Sequence, residues 1–152
     1  LGLQLGADVP FFLYGQNAFV EGIGEELTPV VTPPGWYVVI HPGIGVPTAS
    51  VFGAAELTRN TKVVKMADFS ARPLGFGKND LQAVVVSAFP AVADALRWLS
   101  QRSEARMSGS GACVFARFES ETEAESTLSE LPAHWRGWKV KSLDNHPLKL
   151  QL

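Results

Sequence analysis

The 152-residue sequence is poor in several things, and each shortage removes a class of function. It has one cysteine, Cys113, so no internal disulfide can form and a reducing, cytoplasmic setting is expected. Charged residues make up only 18% and the net charge is −2, with no cluster of Lys or Arg beyond a pair or two. A chain of this kind is not a disordered polyelectrolyte, and it lacks the basic surface needed to neutralise a nucleic-acid backbone. No apolar run reaches membrane-spanning length; the longest candidates break at His41-Pro42 and at Pro90. The opening residues show no basic region followed by an apolar stretch, so no signal peptide is expected. The chain enters an apolar pattern at once, at Leu1, Leu3 and Leu5, which reads as a cut inside a larger protein.

Catalytic signatures are also scarce. There is no Gly-x-Ser-x-Gly elbow of a serine hydrolase and no Gly-x-x-x-x-Gly-Lys-Ser/Thr phosphate loop. His41, His134 and His146 have no metal-ligand spacing among themselves or with Cys113, so no metal site is expected on them. Cys113 sits among apolar residues and reads as a small buried hydrophobe.

What is present is an apolar content of 46%, enough for a core. Leu1, Leu3 and Leu5 read as a last helical turn or a packed loop. Phe11–Leu13 and Ala18–Val20 flank Gly15-Gln16-Asn17 and predict a hairpin, and Gly22-Ile23-Gly24-Glu25 predicts a further turn before Leu27–Val31. Pro33-Pro34-Gly35 punctuates the chain, and a boundary is expected there: residues 1–34 as a remnant of one domain, 35–152 as a second. Trp36–Ile40 reads as a central strand buried on both faces. Pro47-Thr48 opens a helix to about Leu57, with Thr48 as N-cap or first-turn residue. Residues 59–78 are expected to be irregular, with Arg72-Pro73-Leu74-Gly75 among them. Asn79 and Asp80 cap a helix from Leu81 to about Phe89, and Pro90 starts another to about Gln101. Ala105–Met107 and Ala112–Phe118 read as strands. Ser120-Glu121-Thr122-Glu123 forms a capping box for a helix to about Leu131, and Trp138–Lys141 alternates like an edge strand. From Trp36 onward, this order suits an α+β fold: a split βαβ, ferredoxin-like antiparallel sheet with helices on one face.

Three features carry two readings each. Asp8, in Leu5-Gly6-Ala7-Asp8-Val9-Pro10, either caps a turn or helix start or acts as a carboxylate that takes a proton from a substrate hydroxyl. Gly109-Ser110-Gly111 either makes a hairpin turn or lets backbone N–H groups approach a phosphate or sugar oxygen. Phe52 is either a core side chain beside Val51 and Leu57 or an exposed ring that stacks on a base.

Four segments in register go further: Gly6–Phe12, Ala18–Glu25, His41-Pro42-Gly43 with Pro47-Thr48, and Ser108–Phe115. Together, and on to Asn145-His146-Pro147-Leu148, they resemble the GHMP kinase superfamily. Within it they resemble the branch acting on a cytidine-diphosphate-linked sugar alcohol. The resemblance implies phosphorylation by ATP, with Mg2+, of the 2-hydroxyl of 4-diphosphocytidyl-2-C-methyl-D-erythritol in the non-mevalonate isoprenoid pathway. It assigns the catalytic base to Asp8, substrate contacts to Thr48 and Phe52 (the latter stacking on cytosine), and an active-site loop to Gly109, Ser110 and Gly111. The family's Gly-Ser-rich phosphate loop and its N-terminal lysine are absent from these residues, so the resemblance is to a C-terminal portion. Its partner would be the N-terminal half of the same protein, and the residues that contact ATP would lie in that half. A different GHMP member, such as a homoserine kinase or a mevalonate-pathway decarboxylase, and a non-catalytic split βαβ binding module are the alternatives.

Overall fold

The computed structural model describes residues 2–71, 73 and 76–148. Its contacts divide into two compact units: Leu1–Pro34 with Lys65–Leu74 and Leu143–Leu152, and Gly35–Val64 with Gly75–Ser142.

In the first unit a 3-10 turn over Gly2–Gln4 precedes helix α1 (Val9–Tyr14) and an antiparallel pair, β1 (Ala18–Glu21) and β2 (Glu26–Pro29). The hairpin expected around Gly15 is therefore not formed, because Phe11–Leu13 is helical. Pro10 in the first turn supplies a pre-set helical φ, and the Gly15 N–H closes the helix onto the Phe11 carbonyl. The hairpin lies one turn later, at Gly22-Ile23-Gly24-Glu25, where the Glu25 carboxylate accepts the Ile23 N–H at 2.7 Å. The unit also takes in residues distant in sequence. Gln16 bridges to Asn145, the Asn17 amide donates to Thr32 Oγ1 at 2.9 Å, and the His146 N–H donates to the Gly15 carbonyl at 2.9 Å.

Helix α3 (Met66–Ala71) also belongs to this unit and lies inside the stretch expected to be irregular. The Asp68 carboxylate accepts the Lys65 N–H at 3.0 Å, half of a capping box without the Ser or Thr that would advertise it. Of the Arg72–Gly75 stretch expected to be irregular, Arg72, Leu74 and Gly75 lie outside the described residues, as does Leu1.

The second unit holds a four-stranded antiparallel sheet in the order β4 (Ala105–Met107), β5 (Val114–Phe118), β3 (Trp36–His41), β6 (Arg136–Lys141). This is the split βαβ arrangement expected from the element order, with β6 on an edge as its alternation implies. Helices α4 (Asp80–Ala88), α5 (Pro90–Ser100) and α6 (Glu121–Ser129) supply the second layer. Alternate strand residues Val38, Ile40, Val114, Ala116 and Phe118 are buried against Val85, Val92, Ala95, Leu99 and Ala124 of those helices. Period-2 strands and a stripe at 92, 95 and 99 on α5 thus meet in one apolar layer. Each large side chain so buried contributes about 1.5–3 kcal/mol relative to exposure.

β3 is not buried on both faces. Val38 and Ile40 are fully buried, whereas Tyr37, Val39 and His41 alternate with them and remain partly accessible. The helices cover one face of the sheet, so only every second residue of the apolar run is enclosed.

Helix α2 (Thr48–Gly53) stops short of Leu57 because Ala54 turns extended at φ −62°, ψ 135°. The Arg59 guanidinium then collects the carbonyls of Phe52 (2.6 Å), Ala54 (3.2 Å) and Leu57 (3.2 Å), groups a continuing helix would have paired internally. β5 begins at Val114 rather than Ala112, and α6 ends at Ser129, two residues early.

The capping box on α6 is complete: Ser120 Oγ accepts the Glu123 N–H and the Glu123 carboxylate accepts the Ser120 N–H. Ser120→Ala is therefore expected to lower unfolding free energy by about 1 kcal/mol, read by urea titration with an unchanged m value.

Candidate functional residues: the Thr48–Ser110 pair, and Asp8

The β4–β5 connection is a tight glycine loop whose two ends are held by Ser108 N–H to the Cys113 carbonyl and Gly111 N–H to the Ser108 carbonyl, both 2.9 Å. Gly111 has φ +90°, and a Cβ there would meet Met107 Sδ at 3.2 Å and Val46 and Val85 methyls at 3.4 Å. Only glycine combines that backbone with that clearance. The Gly111–Ala112 peptide is cis.

Ser110 projects from this loop so that its hydroxyl meets that of Thr48, the first residue of α2, at 2.8 Å. Two of the residues singled out in the sequence, 62 positions apart, are thus a direct pair. Thr48 is a first-turn residue; Pro47 holds the N-cap position. Phe52 lies one turn beyond Thr48 on the same helix, so the two share a face. Its ring is 55% exposed, so it is not a core side chain; Val51, next to it, points inward and is buried. The Arg59 contact to the Phe52 carbonyl fixes the end of the helix that carries the ring.

Asp8 belongs to the first unit, at the N-cap position of α1, and is exposed. Its side chain makes no capping hydrogen bond, although the residue occupies the place where one would form. The segment before it runs close against the β1–β2 turn. Gly24 stands at φ +111°, and a Cβ at that position would collide with the Ala7 carbonyl oxygen. The Gly6-Ala7-Asp8 segment and the Gly22–Gly24 turn, separate in sequence, are therefore one packed feature.

Cys113 behaves as a structural thiol: burial pushes its pKa up, away from the thiolate that a nucleophile or ligand requires. Asp80, the first residue of α4, has its carboxyl held below the usual range by Lys78, 2.8 Å away, and then by Thr61. Among the described residues no group of three or more His, Cys, Asp or Glu comes together that could hold a metal ion. No single helix among them is long and apolar enough to cross a membrane.

Sequence reasoning placed Asn79 as a helix cap, which it is, with Oδ1 accepting the Leu81 N–H at 3.0 Å. It missed that the same side chain reaches the glycine loop, donating to the Met107 and Gly109 carbonyls at 3.0 and 2.7 Å. Gln82, whose Oε1 accepts the Met107 N–H at 2.8 Å, was not marked at all. No spacing signal links positions 79 and 82 to a loop some 25–30 residues away.

The family model for the C-terminal region of GHMP kinases matches residues 54–137, more than half of the chain and within the span that builds the sheet and its helices. The chain belongs to the GHMP kinases. Among curated proteins it is 58% identical over 148 residues to a 4-diphosphocytidyl-2-C-methyl-D-erythritol kinase of Janthinobacterium sp. (strain Marseille), covering 97% of this chain and 51% of that protein. A protein of the same name from Herminiimonas arsenicoxydans is 57% identical, with 97% and 52% covered. A solved structure of 4-(cytidine 5'-diphospho)-2C-methyl-D-erythritol kinase matches with a TM-score of 0.74 and 31% identity, over 91% of this chain and 54% of that one. The chain spans about half the length of the curated GHMP relatives it matches.

Proposed function

We propose that this chain is the C-terminal part of an ATP-dependent kinase that phosphorylates the 2-hydroxyl of 4-diphosphocytidyl-2-C-methyl-D-erythritol, a step of the non-mevalonate route to isoprenoids in the cytoplasm. The observation that carries the reading is 58% identity along 97% of the chain to a kinase of that name. In this reading residues 1–34 come from the domain that holds ATP and 35–152 form the C-terminal domain. The break between compact units at Pro34–Gly35 supports the start of that division, while residues 65–74 and 143–152 group with the first unit rather than the second. The preceding half of the same protein would complete the site, since these residues contain no phosphate loop.

The roles follow from the chemistry of the side chains. A sugar-alcohol hydroxyl is a poor nucleophile. The Asp8 carboxylate accepts its proton as the oxygen attacks the γ-phosphorus of ATP and ADP leaves. An acceptor not already spent on a helix cap suits that task, and the uncapped side chain of Asp8 supports it. Thr48, paired with Ser110, presents hydroxyls to the polar part of the substrate, and the exposed Phe52 ring offers a face to cytosine. The Gly109–Gly111 loop, joined to Thr48 through Ser110, would lie beside the bound substrate. Magnesium is expected to travel with ATP, held by its phosphates and by one or two carboxylates.

The reading is tested on the full-length protein by ADP release with ATP and the cytidine substrate. Phosphorylation at the 2-hydroxyl is expected, and activity only on homoserine or a mevalonate derivative would replace this reading by another member of the superfamily. In the same assay Phe52→Ala is expected to raise the KM for the cytidine substrate about tenfold, the loss of one base–aromatic stack, with kcat changed less.

A further inference from the structure

The glycine loop between β4 and β5 is closed by two backbone hydrogen bonds, Ser108 N–H to the Cys113 carbonyl and Gly111 N–H to the Ser108 carbonyl, and Ser108 and Gly109 are exposed. Side chains at the start of α4 add a further grip. Asn79 uses its whole amide group: both Nδ2 hydrogens go to loop-side carbonyls, Met107 at 3.0 Å and Gly109 at 2.7 Å. Its Oδ1 takes the Leu81 N–H at 3.0 Å. The orientation of the amide is dictated by these partners, because two carbonyls need donors and an N–H needs an acceptor. One turn on, Gln82 accepts the Met107 N–H at 2.8 Å, so the end of β4 is gripped at both its N–H and its C=O. On the far side of the loop, Ser110 meets Thr48. A continuous hydrogen-bonded path therefore runs from the start of α4, through Asn79 and the loop, to the hydroxyl pair at the start of α2.

We infer that Asn79 is a positioning residue for the substrate pocket: it clamps the Gly109–Gly111 loop so that Ser110 holds the Thr48 hydroxyl in place. This rests on the kinase reading for what the pocket binds, but the clamp itself rests only on the hydrogen bonds. An Asn kept only to cap α4 would be exchangeable with Asp, which caps a helix equally well. A clamp would not tolerate that exchange, since Asp has no hydrogen to donate and sets a negative charge against two carbonyl dipoles.

The test uses the full-length protein with Asn79→Asp, and Asn79→Ser as a second variant that keeps a capping oxygen without adding charge. In Asn79→Asp, amide hydrogen exchange at Ser108 and Gly111 is expected to rise at least about tenfold, with the α4 amides unchanged. The KM for the cytidine substrate is expected to rise by about tenfold or more while the KM for ATP stays put. Asn79→Ser, which can restore one donor, is expected to fall between Asp and the natural residue on both measures. Natural exchange and KM in Asn79→Asp would reduce Asn79 to a cap and overturn the inference, as would faster loop exchange with no change in KM. Failure of the kinase reading looks different: the unsubstituted protein would be inactive on the cytidine substrate, with its loop exchange still protected by Asn79.

Discussion

Asp8→Asn in the full-length protein is expected to lower kcat by at least about a hundredfold, the contribution of a well-placed general base. The substitution is close to isosteric, and the side chain it alters makes no capping hydrogen bond, so the fold loses no contact of that kind. The KM values for both substrates should hold within a few-fold, because the amide fills the same space and can still hydrogen-bond the hydroxyl. The measurement is steady-state ADP release, with a melting curve to show that the variant folds as the natural protein does. Turnover within threefold of natural would remove Asp8 from the mechanism and return it to the role of a turn residue. The position of Asp8 makes the test a clean one. The backbone before it lies close against Gly24, where a Cβ would collide with the Ala7 carbonyl oxygen.

Leu99→Ala is expected to destabilise the protein by about 2–5 kcal/mol, a large fraction of the stability of a domain this size. Leu99 is fully buried on α5 and packs in the layer that joins the helices to β5. Truncation removes the transfer free energy of the missing carbon atoms and leaves a cavity in the layer between the helices and the sheet. The check is the urea midpoint at unchanged m. A shift worth less than about 1 kcal/mol would mean that the core around α5 repacks far more easily than close-packed interiors do. Exposed Leu5, at 79% accessibility, provides the contrast, and its replacement by Ala should cost the described fold almost nothing.

The elements read correctly from the chain are those whose signals are local. Asn79 before Leu81, Pro90 at the head of α5, and Ser120 with Glu123 are cap and first-turn chemistries contained within four residues. The strand alternation of Trp138–Lys141 likewise needs no partner to be recognised, and it put β6 at an edge. The errors fall where the local signal was ambiguous. Phe11–Leu13 is too short for its apolar run to distinguish helix from strand, and Pro10 decided the matter. Helix α3 is capped by an acid onto a lysine backbone, a bond with no conspicuous sequence mark.

The candidate site divides in the same way. Residue type left Asp8, Phe52 and the Gly109–Gly111 loop with two readings each, and the resemblance to a kinase family assigned their roles and that of Thr48. The order of the motifs along the chain sufficed to recognise a GHMP kinase, because a family's motifs are kept in sequence even when each is weak alone. What no pattern in the chain contained is which of them touch. The meeting of Ser110 with Thr48, the exposure of Phe52 beside a buried Val51, and the second grip of Asn79 on the loop all depend on how α2, α4 and the sheet pack. Sequence alone determined the local conformations and the chemical inventory, since those are set within a turn or two of chain. Tertiary structure decided the pairings, since a hydrogen bond across 62 residues exists only once the core between its ends has closed.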